Sequence, residues 1–374
     1  MRNTSAAGSP LTWILAVAFT LLLGAAITSR PVLWRPALFE RTRDMTQVVF
    51  AQTFTAAREI YGPPPDDRPV AALLGNSRVW LAGHDPFVQR EVDRLGARIR
   101  VANLAIFGAG TGDFEVLSRH LDHLAPKTVL VTVDGTDLLD TPGHPVSGLP
   151  ARLLHIGWAD GPIAPDGSMA RLDRWGRTLW PLYRFHEFAR AVLIDRVAPP
   201  VEPAPFPTHF ADTRAVFTYM HGDRGAAAEA AYAAWRRDPS FARFIDYLTI
   251  GSSSYLEMVR DRARQARPLR DGDPGVRAFD VLLARLVATG RRTGVVLMPQ
   301  SPLLDQDPTG EYAIPGFSDA AAATIGRVAA AHGVPVLDAR HALGPDAFID
   351  FDHPFPELSG FQTRLAQEVV RVSS

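Results

Sequence analysis

The sequence contains no cysteine, and this absence excludes several kinds of chemistry. Disulfide bonds, cysteine-ligated zinc, thiol catalysis and a lipid-modified N-terminal cysteine are all ruled out. An excess of basic residues is also missing, since the formal net charge is −1 and the pI is about 6.8. The composition therefore gives no indication of nucleic-acid binding. It leaves the compartment open, because a cysteine-free chain can work on either side of a membrane.

Apolar residues make up 47% of the 374 residues, which is enough to bury a substantial core in one large domain or two smaller ones. The chain also has 31 prolines and 29 glycines. Residues of these two types stop regular structure and form turns, so they predict long ordered loops.

Near the start of the chain, Leu11 to Ile27 carry no charged side chain. With the uncharged residues on either side, this segment approaches the roughly 20 residues that cross a bilayer. An uncleaved membrane anchor over residues 11–28 is the favoured interpretation, and Trp13 would lie near one interface. A cleaved signal peptide is an alternative, with Gly24 and Ala26 as the small residues before the cut. A buried core helix is the third interpretation.

The charges around this segment bear on its orientation. Only Arg2 and the amino terminus precede it, whereas four arginines follow it, namely Arg30, Arg35, Arg41 and Arg43. The positive-inside rule alone would place the main domain in the cytoplasm.

Short apolar runs alternate with amphipathic stretches over much of the remaining chain. The predicted strands are Val70–Leu74, Ile99–Ile106, Lys127–Val133, Thr293–Pro299 and Val334–Ala339. The predicted helices between and after them are Asp85–Gly96, Asp113–Leu124, Gly275–Gly290, Ser318–His332 and Ser359–Val372. Helices that alternate with short strands predict an α/β protein with three α/β/α layers and a mainly parallel sheet. Thr111 or Asp113 is the predicted N-cap of one helix, and Ser359 with Gln362 is a predicted capping box.

The domain organisation follows from where this alternation stops. Residues 1–29 are the predicted tail and anchor, and residues 30–68 a juxtamembrane helix and linker. Residues 69–374 are the predicted α/β domain, with 141–274 as a helical insertion or lid. The predicted helices of residues 30–274 outside the alternation are Arg43–Tyr61, Arg224–Arg237 and Ser254–Arg267. A poorly ordered surface excursion is the alternative for the insertion.

Polar residues follow several of the predicted strands. Ser77 comes after the first strand, Gly108 after the second and Thr136 after the third, while Asp350 and His353 precede the last helix. Ligands of parallel sheets bind at the carboxyl ends of the strands, so these loops are expected to meet.

These residue types fit nucleophilic catalysis. A serine hydroxyl is a poor nucleophile until an imidazole accepts its proton, and the imidazole needs a carboxylate on its other nitrogen. Asp350 stands three residues before His353 and can reach that nitrogen, and Asp352 is the alternative acid. Glycine-rich loops with free backbone N–H groups can stabilise the oxyanion. The simpler interpretations are that Ser77 is only a turn residue and that His353 is a surface histidine.

Three other motifs favour structural roles. The glycines of Gly108–Gly112 are out of register for a dinucleotide loop, because Asp113 stands where the third glycine belongs. His120 and His123 have the spacing of a metal pair, but the sequence shows no third ligand. The stretch Gly251–Tyr255 lacks the spacing of a nucleophile elbow and is interpreted as a helix cap.

Four short blocks occur in a characteristic order: Gly75-Asn76-Ser77, Asn103 with Gly108, Asp134 to Asp137, and Asp350-x-x-His353. Their order resembles that of the SGNH (GDSL-type) hydrolases over roughly residues 69–141 and 275–374. The resemblance implies that Ser77 is the nucleophile, His353 the base and Asp350 its orienting acid. It also implies an oxyanion hole from the backbone N–H groups of Ser77 and Gly108 and the side-chain hydroxyl of Thr136, and it requires no metal or cofactor.

The chain departs from this family at three positions. Asn76 replaces the usual acid of the first block, Thr136 replaces an oxyanion-binding asparagine, and Gly360 lies further from the histidine than usual. These departures resemble the membrane-anchored branch that includes DltD-like and alginate-acetylation proteins. That branch implies an esterase or O-acyltransferase acting on an acylated cell-envelope glycopolymer beside a membrane-bound O-acyltransferase, with the domain outside the cytoplasm. The alternative is a non-catalytic assembly partner with the same fold.

Overall fold

The computed structural model describes residues 10–27, 55–56, 59–61, 64–83, 85–139, 168–184, 209–265, 267–312 and 316–374. The chain forms two compact units, one of Met1–Gly62 with Arg152–Pro203 and one of Pro63–Ala151 with Ala204–Ser374. The predicted insertion over 141–274 is thus divided between them. Most of the helix predicted at Arg43–Tyr61 lies outside the described residues.

Helices outnumber strands along the described chain. In chain order the elements are α1 (Pro10–Ile27), β1 (Val70–Leu74), α2 (Ser77–Ala82), α3 (Asp85–Arg94), β2 (Arg100–Asn103), α4 (Thr111–Ser118), α5 (Leu121–Leu124), β3 (Thr128–Val133), α6 (Ser168–Leu179), α7 (Pro181–Arg184), α8 (Thr213–His221), α9 (Gly225–Arg237), α10 (Phe241–Gln265), α11 (Pro274–Ala288), β4 (Arg292–Leu297), α12 (Phe317–Ala331), β5 (Val336–Asp338) and α13 (Phe361–Ser373).

The N-terminal apolar segment forms α1, a helix of 18 residues without acidic or basic side chains. At 1.5 Å per residue it is about 27 Å long, against a hydrocarbon core of about 30 Å. Within the part of the chain that the structure describes, no helix is long and apolar enough to cross a membrane. The anchor predicted over residues 11–28 extends beyond α1 and stays a prediction.

The sheet of the second unit has five parallel strands among the described residues, in the order β2-β1-β3-β4-β5. Strand β1 pairs with β2 on one side and β3 on the other, so that Ala71 stands opposite both Val101 and Thr128. Every residue of β1 and β3 is buried, as expected for strands covered on both faces. The predicted α/β class with a parallel sheet is confirmed.

Helices cover both faces of this sheet. Helices α3 and α13 pack on one face, where Val88 and Leu365 share a buried cluster with Leu73. Helix α11 contacts β4, α4 and α12, and none of α4, α11 and α12 contributes to that cluster. The arrangement fits the predicted three layers.

A second buried cluster is formed mainly by aromatic residues of α8, α9 and α10. Phe217, Tyr232 and Phe244 pack there against Phe351 and Phe355, which belong to the loop before α13. The helix predicted at Arg224–Arg237 is confirmed as α9, and the one predicted at Ser254–Arg267 is part of the longer α10. The interpretation of Gly251–Tyr255 as a helix cap is wrong, because these residues lie inside α10.

Both predicted helix starts need correction. The N-cap of α4 is Gly110, and Asp113 lies in the first turn, where its carboxylate accepts the N–H of Gly110 at 3.3 Å. The capping box of Ser359 and Gln362 does not form. Gly360 caps α13 in the left-handed region (φ 68°), and the side chain of Gln362 donates to the carbonyl of Glu357 at 3.1 Å.

Candidate active site

Gly75 directly follows the last residue of β1, and its backbone passes close to neighbouring side chains. A Cβ atom at Gly75 would lie 2.0 Å from Oγ1 of Thr132 and 2.5 Å from Cγ1 of Val79. The Thr132 hydroxyl already donates to the carbonyl of Leu74 at 2.8 Å. The position therefore requires glycine because of space.

We expect Gly75→Ala to destabilise the protein by about 1–3 kcal/mol, because the added methyl group overpacks this contact and displaces the Thr132 hydroxyl. Urea unfolding of both proteins measures the difference. The matched control is Gly326→Ala in the interior of α12, where a Cβ would meet nothing within 4 Å. There alanine is expected to stabilise by about 0.5–1 kcal/mol through helix propensity. Equal stabilities for Gly75→Ala and the wild type would contradict the packing argument.

Ser77 is the first residue of α2, whereas the sequence placed it in a loop. Asn76 is the N-cap of this helix, and its Oδ1 accepts the N–H of Arg78 at 3.0 Å. Its Nδ2 donates to Oδ1 of Asp137 at 2.7 Å. Asn76 thus fixes the start of α2 to the loop after β3, and an asparagine is suited to this because its amide both accepts and donates.

The structure brings Ser77, His353 and Asp350 together, although Ser77 and His353 are far apart in sequence. Nε2 of His353 lies 2.8 Å from Oγ of Ser77. Nδ1 of His353 lies 2.7 Å from Oδ2 of Asp350. A serine–histidine–carboxylate chain with these distances has the geometry of an activated nucleophile.

The loop that carries His353 is held by its own backbone. Phe348 and Pro354 form an antiparallel bridge, and the N–H of Ile349 donates to the carbonyl of His353 at 2.8 Å. Oδ1 of Asp350 accepts the N–H groups of Asp352 and His353, each at 2.8 Å. These two backbone N–H groups therefore orient the carboxylate of Asp350 toward the imidazole of His353. Asp350, and not Asp352, contacts His353.

Asp352 belongs to a buried charge cluster around Arg78. The guanidinium of Arg78 is 2% exposed and pairs with Asp134 and, at 3.4 Å, with Asp352. Arg262 of α10 contacts the same carboxylate of Asp352 at 3.3 Å. Arg78 follows the serine directly, so it ties the start of α2 to the loop after β3 and to the histidine loop.

Two buried carboxyl groups near Arg78 and Arg262 have pKa values shifted in opposite directions. Burial alone would raise the pKa of Asp352, but Arg78 and Arg262 outweigh it and hold this pKa below the usual value. Burial raises the pKa of Asp137 to about 6, against the opposing effect of the same two arginines. Asp352 is thus held as a carboxylate beside the site.

The predicted oxyanion donors differ in how they are placed. The N–H of Ser77 lies in the first turn of α2, where helix amides lack intrahelical partners. Gly108 is exposed in the left-handed region (φ 63°), next to Phe107, which lines a cavity beside the histidine. The hydroxyl of Thr136 instead donates to Oδ1 of Asp134 at 2.7 Å and accepts from Arg78 at 3.2 Å. In this arrangement the hydroxyl proton of Thr136 is directed at Asp134.

The cavity that adjoins the histidine has a volume of about 400 Å³. Its lining is mainly apolar and aromatic, and most of it comes from α8, α10 and the histidine loop. The lining residues are Phe107, Met220, His221, Arg224, Tyr247, Leu248, Gly251, Tyr255, Ile349, Asp350 and His353. The residues at 220–255 lie in the predicted insertion, which thus forms a wall of the cavity.

Two polar groups of this wall have no hydrogen-bond partner within the described part of the chain, namely Nε2 of His221 and the hydroxyl of Tyr255. Burial raises the pKa of Tyr255 well above its usual value, so the phenol stays protonated. Burial also lowers the pKa of His221, although Asp350 opposes the shift. The Tyr255 ring lies 6.1 Å from that of His353. Both polar atoms are themselves buried and are not exposed in the cavity.

The sequence did not single out Arg78, His221 or Tyr255. A signal existed for Arg78, because a lone arginine after the candidate serine opens an otherwise apolar helix, but no pattern marked the other two. Asn103 has a structural role, since its Nδ2 donates to the carbonyls of Val79 and Gly83. Among the residues that the structure describes, no group of three or more histidine or acidic side chains could hold a metal ion.

Comparison with known proteins shows that the chain matches no family model and no curated protein.

Proposed function

We propose that this protein is a serine-dependent ester hydrolase or O-acyltransferase. The observation that carries the proposal is the continuous hydrogen-bonded chain from Oγ of Ser77 through His353 to Asp350, with distances of 2.8 Å and 2.7 Å. It lies at the carboxyl edge of a parallel sheet, where ligands of such sheets bind.

The reaction follows from the three side chains. Nε2 of His353 accepts the proton of Ser77 as Oγ attacks the carbonyl carbon of an ester, and the tetrahedral oxyanion is met by the N–H groups of Ser77 and Gly108. The ester C–O bond then breaks, and the imidazolium gives its proton to the departing alkoxide. Water or a sugar hydroxyl next attacks the acyl-enzyme, with His353 again as the base, and this step releases Ser77.

The cavity supports an ester substrate with an apolar acyl part. Its volume and its aromatic and aliphatic lining fit a small acyl chain beside the histidine.

Membership of the SGNH hydrolases is part of the proposal. The strand order 2-1-3-4-5 is that of flavodoxin-like sheets, and the proposed triad residues stand in the order of the family's blocks. The membrane-anchored branch extends the proposal to acyl groups of a cell-envelope glycopolymer and to a membrane-bound O-acyltransferase as partner. The domain that carries the site would then lie outside the cytoplasm. Reporters fused after residue 29 test this placement. It would be contradicted if only a reporter that works in the cytoplasm were active.

A fluorophosphonate probe tests the enzymatic assignment on the purified full chain. We expect covalent labelling of the wild type and none of Ser77→Ala, because the probe reacts with an activated serine. Ser318→Ala is the control, since Ser318 hydrogen-bonds with Gln300 at 2.9 Å outside the triad, and it should label like the wild type. Absent labelling of a folded wild type, or equal labelling of Ser77→Ala, would contradict the proposal.

A non-catalytic role is the second candidate, and one observation favours it. The hydroxyl of Thr136 is bound to Asp134, so the oxyanion hole lacks a side-chain donor from this loop. Loss of one such donor costs about 2.7–4 kcal/mol in the barrier. A folded protein that binds an acylated glycopolymer without labelling or hydrolysis would support this candidate.

A further inference from the structure

Helix α6, in the first compact unit, exposes an apolar stripe. Met169 is 67% exposed, Leu172 63%, Trp175 70% and Leu179 56%. Their spacing of three, three and four residues places them on one face of the helix. Exposed side chains of this size in a continuous row mark a surface that contacts another apolar phase.

The charges of α6 lie beside this stripe and are mostly positive. Arg171 and Arg174 are exposed. At 3.6 residues per turn Arg171 borders the apolar row, whereas Arg174 lies further round on the polar side of the helix. Asp173 is the one acidic residue of the helix, and its Oδ1 accepts a hydrogen bond from the hydroxyl of Tyr183 at 2.9 Å. The polar side of α6 therefore carries guanidinium groups that complement anionic phosphates.

The same unit contains a second exposed apolar surface. Helix α1 exposes large side chains around its circumference, among them Trp13, Ile14 and Phe19 at 63–67%. Helix α7 contacts both α1 and α6. The two helices that carry the exposed apolar surfaces thus contact the same short helix.

We propose that α6 is an in-plane membrane helix, which lies on an anionic lipid surface with its Met169–Leu179 stripe in the headgroup and acyl boundary. An apolar face with tryptophan and leucine, with arginines on the polar side, is the pattern of helices that lie in the membrane interface. This second membrane contact does not depend on the proposed esterase activity, nor on α1 crossing the bilayer.

The absence of cysteine allows a direct test on the full chain. Leu172→Cys creates a unique thiol for a nitroxide label, and collision rates with oxygen and with a water-soluble nickel complex report its depth. In vesicles of phosphatidylcholine with one-third phosphatidylglycerol, we expect the label at 172 to become accessible to oxygen and protected from nickel. Val281→Cys in α11 is the control, because Val281 is an exposed apolar residue (48%) of the other unit, and its label should stay aqueous.

Charge variants separate lipid from other occupants of the stripe. Arg171→Gln/Arg174→Gln should lower the ratio of lipid-exposed to water-exposed label by about 30-fold, since two surface arginines are lost. Arg277→Gln/Arg327→Gln makes the same charge change on the other unit and should leave the ratio unchanged. Thermal unfolding midpoints verify that all variants are folded. A label at position 172 that stays accessible to the nickel complex would overturn the proposal. A label that is immobilised without becoming accessible to oxygen would also overturn it, because it would show that protein covers the stripe.

Discussion

His353→Gln is expected to lower kcat for ester hydrolysis by about 10⁶-fold, which is the loss that removal of the serine or histidine causes in a serine protease. Glutamine retains a polar group near Oγ of Ser77 but cannot accept its proton. The Oγ–Nε2 distance of 2.8 Å puts His353 in the position that the proposed mechanism requires of the base. Initial rates with a chromogenic short-chain ester, or with an acylated glycopolymer, measure the effect.

Two aspartate variants act as matched controls for this result. Asp350→Asn should lower kcat by about 10⁴-fold, because an amide can no longer hold the imidazole in the right tautomer and stabilise its cation. Asp352→Asn removes a carboxylate that contacts Arg78 and Arg262 instead, so it should affect stability more than kcat. The assignment fails if Asp352→Asn loses the larger factor in kcat, or if His353→Gln retains most of the activity.

Arg78→Met is expected to destabilise the protein by about 3–5 kcal/mol, because it removes the buried cation that pairs with Asp134 and leaves Asp352 with Arg262 alone. Asp134 is 1% exposed and Asp352 7%, so water cannot replace the guanidinium. The pKa of Asp352 should also rise, because Arg78 opposes the effect of burial there. Urea unfolding followed by circular dichroism measures the loss, which should shrink at low pH as the carboxylates become protonated.

A surface ion pair provides the comparison. Arg327 contacts Asp271 at 2.6 Å, but the two side chains are 56% and 74% exposed. Arg327→Met should therefore change the free energy of unfolding by less than about 1 kcal/mol. Arg78→Lys keeps the charge but loses the planar fork that reaches two carboxylates, so an intermediate loss is expected. Equal losses at Arg78 and Arg327 would show that the buried cluster contributes little.

The sequence predicted the strands well where burial on both faces of the sheet determines the pattern of apolar residues. Val70–Leu74 was predicted with the bounds that the structure shows, because an uninterrupted apolar run between turn residues fits a covered strand. The residues of the proposed triad could be named because each stands where a predicted strand or loop reaches the carboxyl edge. The distance between Ser77 and His353 could not be predicted from the sequence, since it depends on how two loops fold.

What the sequence missed depends on contacts between distant segments. Gly251–Tyr255 looked like a cap because glycine and serine favour helix ends, but packing of α10 against the aromatic cluster overrides that preference. His221 and Tyr255 reach the cavity only because α8 and α10 pack against the histidine loop. Thr136 looked like an oxyanion donor by its position, whereas the nearby carboxylate of Asp134 binds its hydroxyl.

The tyrosines of α9 and α10 have a consequence for how the protein can be divided. The Tyr232 hydroxyl donates to the carbonyl of Asp346 at 2.7 Å, and that of Tyr247 donates to the carbonyl of Ile349. The backbone around Asp346 and Ile349, which precedes Asp350 and His353, is thus hydrogen-bonded to α9 and α10, two helices that lie in sequence between β3 and β4. A chain shortened to the strands and their crossover helices would keep Ser77 but lose the support of the loop that carries His353. Evolutionary exchange of this helical region would therefore change the Ser77–His353 pair together with the cavity wall.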